Sequence, residues 1–134
     1  MSFETIIEVD KRHIDHLNHL NHVETVRFIE RGRSDWLQTC GLYSLGIETN
    51  DGPPRYGSIV VNINYNYRQE CLLGEQLRIT THPERLGHKS YYLQHEIIKP
   101  DGSIAFDGRA ISVVMDLSTR DIVPVPECVA RHFP

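Results

Sequence analysis

The sequence predicts an α+β protein in which an antiparallel five-stranded sheet wraps round one long helix. Hydrophobic and polar residues alternate in five separate runs, as in half-buried strands, and between the first and second runs the apolar spacing changes to that of a helix. Glycine- and proline-marked turns separate the later runs. With 134 residues and no repeat, linker or low-complexity segment, a single domain over residues 1–134 is expected, large enough to bury a core without disulfides. One helix covers only one face of such a sheet. The other face, or an exposed edge strand, is left for a second subunit, so a homodimer is expected, with a homotetramer as the larger alternative.

Ser2 to Asp10 sets Phe3, Thr5, Ile7 and Val9 on one side, as a first strand does. From Val23 the period lengthens, and Val23, Val26, Ile29, Trp36, Leu37 and Cys40 share one face of a helix of roughly four or five turns. Asn21 suits the N-cap, with Glu24 three places on, and Gly41 suits the position after the C-terminus. Gly32 inside this stripe costs about 1 kcal/mol against alanine, which predicts that another backbone passes close. Leu42 to Arg55, with Gly46, Gly52, Pro53 and Pro54, reads as a surface loop able to cover a ligand. Ser58 to Tyr67 alternates Ile59, Val61, Ile63, Tyr65 and Tyr67 with Asn62, Asn64 and Asn66. Gln76–His82, Ser90–Lys99 and Ser103–Met115 then form consecutive antiparallel hairpins across Arg85-Leu86-Gly87-His88 and Pro100-Asp101-Gly102. The tail from Asp116 ends the sheet and adds a short helical turn from Pro126.

A net charge of -4 with no basic run argues against nucleic acid or an anionic membrane surface as partner. No stretch approaches the ~18 apolar residues of a membrane span, and Met1 to Asp10 has no leader pattern. Cys40, Cys71 and Cys128 form no CxxC pair, so a reducing, cytoplasmic setting and a small-molecule partner are expected.

Chemistry concentrates in His13 to Arg33, HIDHLNHLNHVETVRFIERGR, which holds four of the eight histidines at three-residue spacing and runs into the helix start, where free N–H groups point outward. Asp15 is either a catalytic carboxylate or a turn residue before a helix. His13, His16, His19 and His22 would line up as metal ligands in 3₁₀ turns. Against this, an α-helix aligns i with i+4, and zinc ligands come from separate elements, so no metal is expected and exposed loop histidines are the simpler reading. Glu30 between Arg27 and Arg33 reads as an i,i+3 ion pair rather than a second carboxylate. Arg85, His88 and Lys89 beside Gly87 suit phosphate contact or ordinary solvated charge. Tyr43, Tyr91 and Tyr92 suit core packing or contact with a substrate, and Cys40 and Cys71 read as buried thiols.

Asp15-x-x-x-His19-x-Asn21, followed by Phe28, Glu30 and Arg33, resembles the D-x-x-x-H-x-N-N…E-x-x-R signature of the hotdog-fold acyl-CoA thioesterases of the 4-hydroxybenzoyl-CoA thioesterase superfamily. Residues 59–68, IVVNINYNYR, look like the bacterial long-chain acyl-CoA thioesterase branch, and similarity continues through Gly87-His88-Lys89-Ser90, Pro100-Asp101-Gly102 and Val114-Met115-Asp116. Four positions depart: His22 stands for the second asparagine, Thr25 for the usual helix tyrosine, His13 for an acidic residue, and Glu70 replaces the proline expected after Tyr67. The resemblance implies a hotdog fold and hydrolysis of a coenzyme A thioester to free carboxylic acid and CoA. In it Asp15 is base or nucleophile, the His22 backbone N–H faces the oxyanion, and His19 and Asn21 complete the catalytic set. Arg85, His88, Lys89, Ser90 and Asn64 are implied for the substrate and its CoA portion, with no cofactor beyond the CoA thioester itself. A non-catalytic acyl-CoA-binding hotdog module and a histidine metal-binding protein are the alternatives.

Overall fold

The computed structural model describes residues 2–42 and 55–134, so positions 43–54 of the expected loop, Tyr43 among them, lie outside the described residues. The elements in order are strand β1 (Phe3–Glu8), a 3₁₀ turn (Lys11–His13), helix α1 (His22–Cys40), strands β2 (Tyr56–Tyr67), β3 (Gln76–Leu86), β4 (Ser90–Ile98), β5 (Ile104–Asp116) and β6 (Asp121–Val123), and the short helix α2 (Glu127–Ala130). All strand pairs are antiparallel, in the order β1-β3-β4-β5-β2. The three-residue β6 adds a sixth strand to the five expected, pairing with the end of β5.

Helix α1 begins where Asn21 Oδ1 accepts the Val23 N–H at 2.8 Å and ends at Gly41, whose left-handed φ of 77° lets its N–H return to Leu37 and Gln38 carbonyls. Its buried face is Thr25, Phe28, Ile29, Gly32, Trp36, Leu37 and Cys40. Val23 and Val26, expected on that face, are not: Val23 is 54% exposed. Thr25 is buried instead, its hydroxyl satisfied by donating to the Asn21 carbonyl at 2.9 Å. Gly32 does mark a close approach, but to side chains rather than backbone, since a Cβ there would lie 2.9 Å from Ile79 Cγ2 and 3.4 Å from Thr81 Oγ1.

Under α1 the sheet presents Ile7, Leu77, Ile79, Ile97 and Phe106 to Phe28 and Ile29, and Tyr91, Leu93 and Val114 to Trp36 and Leu37, where Val129 of α2 closes the end. One cross-strand row in this interior is polar. Thr81, His95, Gly108 and Tyr65 are successive partners across β3, β4, β5 and β2. The His95 ring is fully enclosed, its Nδ1–H donates to the Thr80 carbonyl at 3.2 Å, and Nε2 has no hydrogen-bond partner among the described residues. Burial, aided by the Arg33 charge, pushes its pKa from 6.5 down to about 3.

β2 departs most from its expected role. Alternation predicted one buried face, but a register shift between Val60 and Asn62 interrupts the alternation and the strand lies at the edge of the sheet. Ile59, Val60, Val61, Ile63 and Tyr67 are all exposed. β3 runs past the expected His82 to Leu86, with Pro83 at a register shift where it withholds no ladder donor.

Candidate active site at the start of the helix

Between β1 and α1 the chain makes a narrow excursion. Ile14 bridges Leu20, the Asp15 N–H donates to the His19 carbonyl at 3.3 Å, and Asn18 turns the chain at a φ of 59°. Asp15 Oδ1 accepts the Leu17 N–H at 2.9 Å, so this carboxylate does serve its own turn, with Oδ2 free of any partner among the described residues. The excursion is sewn to the segment following β2: His19 bridges Leu72, and the Leu20 N–H donates to the Cys71 carbonyl at 2.7 Å.

The junction encloses a cavity of about 470 Å³, walled by His19, Leu20, His22 and Thr25 on one side, by Tyr67 to Cys71 on another, and floored by Ile97, Ala105 and Phe106. Its lining mixes apolar Leu20, Ile97, Ala105 and Phe106 with polar His19, Arg68, Gln69 and Glu70, as in a site that holds an organic group and orients it with a few polar groups. His22 is the first residue of α1. Asn21 caps the next N–H, and among the described residues no hydrogen bond occupies the His22 N–H, leaving a donor on the positive end of the helix. Asp15 does not itself line the cavity; it stands in the turn leading to it.

The four histidines go four ways. His13 Nδ1 accepts the Asp10 N–H at 3.0 Å and its ring meets Phe28 edge-on at 4.8 Å. His16 is exposed. His19 Nδ1 lies 3.2 Å from Glu70 Oε2, and the His22 ring tilts over Tyr67 at 5.3 Å. Among the described residues, no three histidine, cysteine, aspartate or glutamate side chains are placed to share a metal ion. Glu70 entered the sequence reading only as a departure from a proline, and its place in the cavity wall depends on pairing that spacing does not reveal. Cys71 also lines the cavity, and burial pushes its thiol up to about 11, which keeps it neutral near pH 7. The expected Glu30 ion pair is replaced by Glu24 with Arg27 at 3.0 Å.

The basic turn lies elsewhere. Arg85, His88 and Lys89 are exposed around the tight turn in which the Gly87 N–H donates to the Ser90 carbonyl at 2.8 Å, and Arg85 stacks on Tyr92 at 5.4 Å. Ser90 begins β4 whereas the cavity residue Ile97 is near its end, a separation of roughly 23 Å along the strand. Within one chain, therefore, Asp15, His19, Asn21 and His22 gather at one end of the sheet and Arg85, His88, Lys89 and Ser90 at the other. Asn64 lies between them, exposed on the edge strand opposite Arg109.

Residues 9–133 match the model of a family described as the thioesterase-like superfamily. The long-chain acyl-CoA thioesterase FadM of Escherichia coli (strain K12) is 31% identical over 118 residues, covering 87% of this chain and 86% of that protein. Among solved structures, YbaW of Escherichia coli, described as a probable thioesterase, is 25% identical with a TM-score of 0.77 and 98% of both chains covered. The DHNA-CoA thioesterase of Staphylococcus aureus, 20% identical with a TM-score of 0.78 over 99% of this chain and 84% of that one, shares the fold.

Proposed function

The chain belongs to the thioesterase-like superfamily, and from that premise we propose that it hydrolyses acyl-CoA to free carboxylic acid and coenzyme A by an Asp15-dependent route. The observation that carries this reading is the open His22 N–H at the start of α1, set in the wall of the 470 Å³ cavity with the Asp15 turn leading into it. The acyl group lies on Ile97, Ala105 and Phe106, and the thioester oxygen faces the helix start. As the carbonyl carbon becomes tetrahedral, negative charge grows on that oxygen, and a fixed donor on the helix dipole stabilises it more than the ground state. Asp15 Oδ2 attacks the carbon to give a transient anhydride, or takes the proton of an attacking water. Asn21 positions the donor by capping its neighbour, and His19 stands beside the reacting carbonyl. The route draws on side chains and backbone alone, with no metal or further cofactor.

The second half of the site comes from a second copy of the chain. Among the described residues β2 is an edge strand with one partner, β5, and carries exposed Ile59, Val61, Ile63 and Tyr67, which pairing with another β2 would cover. Antiparallel two-fold pairing sets the Tyr67 end of one β2 beside the Tyr56 end of the other. Tyr56 lies opposite Asp116 and Ser90 opposite Val113, so the basic turn of one protomer comes to the same end as the cavity of its partner. Arg85, His88, Lys89 and Ser90 then contact the phosphates of CoA whose acyl end is held across the dimer, and Asn64 lies in the seam. Higher assembly to a tetramer leaves this pairing intact. No helix among the described residues is long and apolar enough to cross a membrane. Three unpaired cysteines fit a cytoplasmic setting.

The test is Asp15→Asn. The amide still accepts the Leu17 N–H through Oδ1, so fold and dimer persist, while thiol release from acyl-CoA falls roughly 10²–10⁴-fold. Near wild-type turnover would reject Asp15 as the reacting group. Tight acyl-CoA binding by the unaltered protein with no thiol release would reject the enzyme in favour of a binding module.

A further inference from the structure

We propose that Glu70 is a positioning residue of this site, holding His19 so that its imidazole delivers a proton to the departing coenzyme A sulfur. The inference rests on the thioesterase reading above and adds a residue to it. His19 and Glu70 are 51 positions apart, yet the backbone brings them together: His19 itself bridges Leu72, and the next residue, Leu20, donates its N–H to the carbonyl of Cys71, the neighbour of Glu70. The Glu70 carbonyl is anchored in turn by Lys99 Nζ at 2.8 Å, and the preceding Arg68 and Gln69 N–H groups donate to the Ala105 carbonyl at 2.8 and 3.1 Å. A carboxylate only accepts, so at 3.2 Å from Glu70 Oε2 the His19 Nδ1 carries the hydrogen, and Nε2 is the ring nitrogen left for the substrate.

Both side chains line the cavity, and its other polar groups are committed elsewhere. Arg68 is bound to Asp107 at 2.6 Å, the His22 ring lies against Tyr67, and the Cys71 thiol is kept neutral by burial. Of the two cavity histidines, His19 is the one whose Nδ1 is held by a carboxylate, which fixes the ring and leaves Nε2 for the substrate.

In the anhydride route, Asp15 forms a bond to the carbonyl carbon and the carbon–sulfur bond breaks. The electron pair goes to sulfur, which takes the Nε2 proton of the imidazolium. Neutral Nε2 then takes a proton from the water that attacks the anhydride; the acid leaves, Asp15 regains its carboxylate and the imidazolium is restored. In the direct route Asp15 takes the water proton, His19 protonates the sulfur, and Asp15 returns its proton to the ring. No outside oxidant or reductant enters either route.

Glu70→Gln keeps a neutral hydrogen bond to Nδ1–H and tests the role. The readout is kcat and KM on an acyl-CoA and on the same acyl group carried by an aryl thiol, whose thiolate departs without a proton. Glu70→Gln is expected to lower kcat on acyl-CoA about 10-fold at nearly constant KM, with a loss of no more than about 2-fold on the aryl thioester, below the full contribution of a general acid. His19→Gln should show the same pattern more strongly, and adding Glu70→Gln to it should cost nothing further. Equal losses on both thioesters, or additive losses in the double variant, would overturn the role of Glu70. Asp15→Asn separates the two ideas, because it must fail on both thioesters whatever Glu70 does.

Discussion

Acidification from pH 7 to pH 5 should destabilise this protein through His95, and the size of the effect follows from where that ring sits. It is fully buried beneath α1, with Nδ1–H donated to the Thr80 carbonyl and the Arg33 charge near enough to oppose a second cation. Its pKa is lowered from 6.5 to about 3 in the folded chain, so between those values only the unfolded chain binds the proton. The contribution is therefore complete above pH 6.5 and is lost as pH falls toward 3. At pH 5 the unfolded ring is almost wholly protonated and the folded one is not, a loss of about 2 kcal/mol relative to pH 7. For 134 residues that corresponds to a fall in Tm of roughly 7 °C. Asp10 and Asp116, held near 2 chiefly by Arg12 and Ser118 respectively, act in the same direction only at lower pH and leave this window clean. Thermal denaturation of the unaltered protein and of His95→Gln, at one protein concentration and at both pH values, isolates the effect of His95, because every other residue is the same in both proteins. If both proteins lose stability equally between pH 7 and pH 5, His95 is not held neutral by its surroundings and the reasoning fails.

Gly108→Ala should destabilise more than Gly32→Ala, by about 1–3 kcal/mol, because its Cβ would stand 2.5 Å from the Asn64 carbonyl oxygen and the Tyr65 ring, where β2 backbone cannot yield. At Gly32 the intruded atom is the Ile79 methyl, and about 1 kcal/mol of helix propensity offsets the strain, so thermal melts of the two variants separate the cases. If β2 pairs with a second copy as proposed, Ile63→Lys, which places a charge on its exposed face, should give a monomer by light scattering and raise KM for acyl-CoA, since the basic turn would no longer reach the partner's cavity. A monomer with unchanged KM would refute the shared site.

The strands of the interior were legible because both neighbours and one face are fixed: β3 and β4 bury alternate residues along their length, and periodicity reports that directly. β2 alternates as cleanly in sequence, yet its burial depends on being an edge and on one bulge, neither of which alternation encodes. The helix was found with both caps, but its buried face was assigned a phase that places Val23 inside, since apolar spacing weighs Val23 above Thr25. Thr25 is the buried one, its hydroxyl satisfied by the Asn21 carbonyl. Equal spacing of the four histidines does not say which partner each ring meets. The left-handed Asn18 and the bridge from His19 to Leu72 give each ring a different partner, and the most consequential partner, Glu70, is supplied by chain 51 residues away.

For Asp15 and Asn21 the turn or cap role visible in the structure and the proposed catalytic role are compatible. Asp15 spends one oxygen on the Leu17 N–H, which fixes the carboxylate without neutralising it and leaves the second oxygen for chemistry. Asn21 caps Val23, which is what leaves the His22 N–H ahead of it open. A cap aimed one residue earlier would fill the donor proposed for the oxyanion, and a turn lacking the Leu17 bond would leave the carboxylate free to rotate, at a cost to the proposed reaction. On the proposed route these local bonds would hold the Asp15 carboxylate in the turn before the cavity and the His22 N–H open in its wall, so position 22 would be asked only for its main chain, which histidine supplies as well as asparagine.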